Sequence, residues 1–95
     1  MTRYTVVWDP DVEAPFIKYW VAAGSQTRAI LTEIANWVDA NLAEDPGNKG
    51  HARPDLGARI IAVPPLGLPA RVSVSYEVWP EDRQVRVIRL TIRGL

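Results

Sequence analysis

The first apolar pattern is short: Tyr4 to Trp8 is a β-branched and aromatic run closed by Asp9-Pro10, which predicts a strand. Asp9 would cap a helix with Pro10 in its first turn, but Pro15 would then lack a backbone donor inside it. The regular helix is therefore placed from about Pro15, after an irregular turn. Phe16, Tyr19, Trp20 and Ala23 recur at spacings of three and four, and Ile17 and Val21 widen the stripe into one apolar face. Gly24 suits a left-handed residue ending this helix, and Ser25 offers the N-cap of the next. Ile30, Leu31, Ile34, Trp37, Val38 and Leu42 trace a second helical stripe through about Asn41. Joined by one Gly-Ser step, the two helices form an αα-hairpin whose apolar faces need a sheet to cover.

Residues 44–57 carry three glycines and two prolines, which predicts no regular structure; loops of that length tend to be functional or mobile. The remainder reads as three strands. Ala58 to Val63 is ended by a proline-rich stretch, 64–69, that cannot join a ladder. Arg71 to Trp79 alternates, with Val72, Val74, Tyr76 and Val78 on one face and Arg71, Ser73, Ser75 and Glu77 on the other. After a turn at 80–83, Val85 to Arg93 returns. Strict alternation there groups Arg86, Ile88, Leu90 and Ile92 against Val85, Val87, Arg89, Thr91 and Arg93, so Arg86 and Arg89 would point to opposite faces. The predicted order is β-α-α-β-β-β, an α+β fold with an antiparallel sheet packed against the αα-hairpin.

Composition narrows the class. Ninety-five residues fit one domain, 1–95, and 47% hydrophobic with 23% charged residues fits a folded chain. With no cysteine, a disulfide framework and thiolate chemistry are excluded. No apolar run approaches the roughly 20 residues that span a bilayer, and the first residues lack a signal-peptide core, so a cytoplasmic protein with no membrane partner is expected. One histidine, no Walker loop and no dinucleotide fingerprint lead to the expectation of no metal and no cofactor. Trp8, Trp20, Trp37 and Trp79 fall on core-facing or turn positions.

Net charge is zero, but residues 1–47 carry three basic against seven acidic side chains and residues 48–95 eight against four. A surface built by the second half could face an anion, either phosphate or an acidic protein; otherwise its arginines occupy solvent faces of strands.

Several short stretches resemble the RelE/ParE toxin superfamily of bacterial type II toxin–antitoxin systems. They are Tyr4-Thr5-Val6-Val7-Trp8, Leu42-Ala43-Glu44-Asp45-Pro46 closing the second helix, Leu68 to Val78 with an arginine ahead of Tyr76, and the hairpin Glu81 to Leu90. The resemblance implies a toxin bound by a cognate antitoxin. In the RelE-like branch it implies an endonuclease cutting messenger RNA on the ribosome; in the ParE-like branch, an inhibitor of DNA gyrase. RNA cleavage of this type drives the 2′-hydroxyl onto its own phosphate, and needs a base, cationic donors and an acid for the leaving oxygen. Carried over by position, the cations would be Arg59, Arg71 and Arg93, with Arg71 two residues earlier than the family's arginine. The family's tyrosine or histidine near the C-terminus has no counterpart before Gly94-Leu95. Lys49 and His51 are then the candidates for proton transfer. Three functions stay open: an RNA-cleaving toxin, a non-catalytic inhibitor, and an interaction module that shares only the fold.

Overall fold

The computed structural model describes residues 3–64 and 70–94, so most of the proline-rich stretch 64–69 lies outside the described residues. Strand β1 (Thr5–Trp8) leads into helices α1 (Pro10–Ala22) and α2 (Ser25–Leu42). Four strands follow: β2 (His51–Arg53), β3 (Ala58–Val63), β4 (Arg71–Trp79) and β5 (Gln84–Arg93). The sheet order is β1-β5-β4-β3-β2, antiparallel throughout except for the parallel pair β1–β5. The expected α+β architecture is found, with one strand more than expected and a mixed sheet.

Three local expectations are corrected. Helix α1 begins at Pro10, not Pro15, because Asp9 anchors its first turn: the Asp9 N–H donates to the Val87 carbonyl of β5, its carbonyl accepts from Val12 and Glu13, and its side chain accepts from the Asp11 N–H. Pro15 then leaves only the Asp11 carbonyl without a helical donor, and both residues are exposed, so water can serve it. Gly24 is extended (φ −74°, ψ 172°) and serves as the N-cap of α2, with Ser25 its first helical residue. Arg28 closes α1 instead, stacking over the Trp20 ring at 4.7 Å and donating to the carbonyls of Trp20 (2.9 Å) and Val21 (2.6 Å). The supposed loop 44–57 contains β2, three exposed residues pairing His51 with Ile60 and Arg53 with Ala58. Gly50 turns the chain into it at φ +65°, packed so close to the Ile60 carbonyl that no side chain fits there.

The core lies between α2 and one face of the sheet. Leu31, Ile34, Val38 and Leu42 are fully buried, and Ile34, Val38 and Leu42 pack on Val72, Val74, Tyr76, Val85 and Val87. These α2 residues follow the predicted stripe. Helix α1 buries no residue completely and leaves Ile17, Tyr19 and Val21 about half exposed. The tryptophans stay near the predicted positions: the Trp8 indole donates to Asp39 (2.8 Å), that of Trp20 to Thr32 (3.1 Å), and Trp79 lies exposed beside the β4–β5 turn. Among the described residues no helix is long and apolar enough to cross a membrane.

Candidate functional site on the open sheet face

The strand register decides which side chains share a face. Val72↔Ile92, Val74↔Leu90, Tyr76↔Val87 and Val78↔Val85 are cross-strand pairs, and all lie toward the helices. Between Ser75↔Arg89 and Tyr76↔Val87 the count slips by one, leaving Ile88 as an extra, bulged residue in β5. The slip resets the alternation. Arg86 (opposite Glu77), Arg89 (opposite Ser75) and Arg93 (opposite Arg71) therefore emerge on the same face, the one no helix covers. The expectation that Arg86 and Arg89 point apart is overturned by this single inserted residue.

Four guanidiniums thus line the open face. Arg71 and Arg93 are direct cross-strand neighbours, an arrangement of like charges that costs stability unless an anion sits between them. The Ser75–Arg89 row lies about 13 Å along the strands from them, and the Glu77–Arg86 row about 7 Å further on. Among the described residues the one ion pair is the exposed Arg53–Asp55 contact at 3.2 Å, so none of the four makes a direct ion pair, and only Arg86 has a carboxylate, Glu77, as its cross-strand neighbour. The Nε of Arg86 is buried without a hydrogen-bond partner. Arg53 holds the Asp55 carboxyl below its ordinary range by direct hydrogen bonding, a surface contact that contributes little to stability.

His51 reaches this face too. The pairings His51↔Ile60, Ile60↔Ser75 and Ser75↔Arg89 place it in one lateral row with Arg89, about 14 Å apart at the backbone. Its place on a paired strand holds it more firmly than the loop predicted for it would have done.

Arg59 and Lys49 do not join them. Arg59 pairs with Tyr76 and so lies on the helix-side face at the other end of the sheet from Arg71. Its Nε donates to the Lys49 carbonyl (2.7 Å) and an Nη to that of Gly50 (3.3 Å). The Tyr76 hydroxyl shares its proton between the carbonyls of Pro46 (2.9 Å) and Lys49 (2.8 Å). Together these two side chains fasten the segment that enters β2. The Lys49 ammonium donates to the Asn41 carbonyl at 2.6 Å, capping the negative end of α2. Replacing Lys49 by Met should therefore cost about 1–2 kcal/mol in urea denaturation and leave any activity of the open face intact. A variant with normal stability and no activity would return Lys49 to the site.

The five sequence candidates are thus divided: Arg71, Arg93 and His51 share the open face, while Arg59 and Lys49 are committed to backbone carbonyls beneath it. Arg86 and Arg89 belong with the first group. Their signal was present in the sequence, because the apolar series Val85, Val87, Ile88, Leu90, Ile92 changes phase at two adjacent residues.

No family model matches the chain, and no curated protein matches it in sequence. Solved structures do match in fold. The structure of the toxin–antitoxin complex RelBE2 from Mycobacterium tuberculosis superposes with a TM-score of 0.71 at 18% identity, covering 100% of this chain and 97% of that one. A mutant E. coli toxin RelE in the free state, with two arginines changed to alanine, gives a TM-score of 0.55 at 22% identity, covering 94% of this chain and 82% of that one. The fold is that of RelE toxins, as the sequence resemblance implied.

Proposed function

From a RelE-type fold carrying four arginines on its open sheet face, we propose that this chain is the toxin of a toxin–antitoxin pair and that it cleaves messenger RNA on that face. The arginine row carries the proposal, because a nucleic-acid backbone is the polyanion that would relieve the Arg71–Arg93 repulsion and engage Arg89 and Arg86 along the same strands. Support for the antitoxin partner comes from the M. tuberculosis relative, which was solved as a toxin–antitoxin complex.

In the cleavage step the 2′-oxygen forms a bond to the adjacent phosphorus as the bond to the 5′-oxygen breaks, yielding a cyclic phosphate and a free 5′-hydroxyl. The Arg89 guanidinium stabilises the charge that builds on the phosphoryl oxygens, while Arg71 and Arg93, about 13 Å along the strands, hold another phosphate of the same chain. His51, in the same lateral row as Arg89, is the imidazole on this face and takes the 2′-proton or supplies the 5′-oxygen with one. The complementary proton moves through water or a ribosomal group. The neutral overall charge is compatible with such a target because four of the arginines share the open sheet face.

The test is 5′-end mapping of cellular RNA shortly after the chain is induced alone in bacteria, beside a variant with Arg71, Arg89 and Arg93 all changed to Ala. New ends within translated codons that vanish in the variant are expected. Arrested growth without new ends would replace RNA cleavage by gyrase inhibition. Neither ends nor arrest would remove the toxin assignment.

A further inference from the structure

Beside the arginine row, β5 runs on alone. Strand β1 pairs only with Gln84–Val87, so among the described residues 88–93 have β4 on one side and nothing on the other. Strand β5 is thus internal in sheet order, and only its second half is open on one side. Between that open half and α1 lies a groove of about 410 Å³, whose lining includes Asp11, Phe16, Tyr19, Arg89, Leu90 and Ile92.

We propose that this groove holds one unstacked base of the bound RNA, an inference that rests on the function proposed above and assigns a second, base-reading subsite to it. Three features favour a base. Arg89 belongs to both surfaces, lining the groove while standing in the phosphate-facing row, so RNA held by that row is brought to the open β5 edge along which the groove lies. The volume suits one planar ring, and the walls offer a flat aromatic platform in Tyr19, which is 46% exposed with nothing stacked upon it. Phe16, which also lines the groove, is already engaged with Trp8, ring centres 5.5 Å apart.

The polar groups at the rim give the subsite a preference. Neither the Asp11 carboxylate nor the Arg89 guanidinium has a partner among the described residues. A carboxylate only accepts hydrogen bonds, so it favours bases that present an exocyclic amino group, cytosine and adenine (and guanine through its 2-amino group), over uracil, which has none. Alternate main-chain groups of the open β5 edge are free to bond the remaining base edge.

Binding of labelled single-stranded oligonucleotides of cytidine, adenosine or uridine to the whole chain tests this. The parent chain is expected to bind cytidine and adenosine oligomers more tightly than uridine ones. Tyr19→Ala should weaken all three by about tenfold with unchanged melting temperature, since it removes a stacking platform. Asp11→Asn should abolish the preference while leaving uridine binding in place. If both variants bind all three oligomers as the parent does, the groove is no base site and the arginine face stands without it. If the parent binds none, the failure belongs to the proposed function and takes this subsite with it. An alternating apolar–acidic peptide whose binding depends on Tyr19, while RNA binding does not, would assign the groove to a protein strand and overturn the proposal.

Discussion

Changing Arg93 to Glu should stabilise the protein while ending its action on RNA. Arg71 and Arg93 face each other across β4 and β5 with no carboxylate neutralising either. A directly opposed like-charge pair costs a few tenths of a kcal/mol, and an opposite-charge pair returns a similar amount. The change should therefore be worth about 0.5–1 kcal/mol, or a rise of several degrees in melting temperature for a chain of this size. The same change puts a negative charge where an RNA phosphate would sit and turns Arg71 inward to pair with it, so two contacts are lost together. Growth arrest and new RNA ends should both disappear. Opposite signs for stability and activity distinguish a ligand-binding arginine from a structural one. A drop in melting temperature with lost activity would make Arg93 part of the fold, and full activity in the variant would place the RNA elsewhere.

The largest stability effect is expected at Tyr76. It is fully buried among Ile34, Val38 and Leu42 of α2 and the neighbouring strands, and its hydroxyl holds the Pro46 and Lys49 carbonyls. Tyr76→Ala should cost about 3–5 kcal/mol, a large share of the 5–15 kcal/mol a domain has, and should release the segment leading into β2. Tyr76→Phe keeps the ring and loses only the shared proton, for about 1–3 kcal/mol. Burial pushes the Tyr76 hydroxyl above its ordinary pKa, against the opposing pull of the Arg59 guanidinium. In the unfolded chain this tyrosine releases its proton near pH 10, while in the folded chain it still holds it. The unfolded state then binds fewer protons, so stability falls from about pH 10 upward until the folded group also ionises. Urea denaturation at about pH 8 and about pH 10.5 should show a steeper alkaline loss in the parent than in Tyr76→Phe. An equal loss in both would assign the alkaline transition to other groups.

Much of this architecture was legible in the sequence. The stripe Leu31, Ile34, Val38, Leu42 made α2 readable, and the alternation through Val72, Val74 and Tyr76 gave the core face of β4. Strand β2 was not legible because its three residues are all exposed and carry no alternation; it exists only because β3 offers a ladder. The start of α1 was misplaced because Pro15 breaks a local rule that the distant contact from Asp9 to Val87 outweighs. The site was half legible. Residue type singled out the cations, but their partners are set by register: the Ile88 bulge gathers Arg86, Arg89 and Arg93, and the Arg59↔Tyr76 pairing turns Arg59 under the sheet. A phase change in an apolar series can be seen in advance. Which carbonyl a lysine caps cannot, since Lys49 and Asn41 meet only after the chain has turned back at Pro46.

Whether the open face is a phosphate-binding surface can be read from the salt dependence of single-stranded RNA binding. Four arginine–phosphate contacts predict that the logarithm of the binding constant falls with the logarithm of salt concentration at a slope of about −2.8, and that each Arg→Ala change at 71, 86, 89 or 93 reduces that slope by about 0.7. The same change at Arg59 should leave the slope unaltered in a variant that remains folded. A slope near zero, or one that responds to Arg59 and not to the four open-face arginines, would contradict the assignment of this face to RNA.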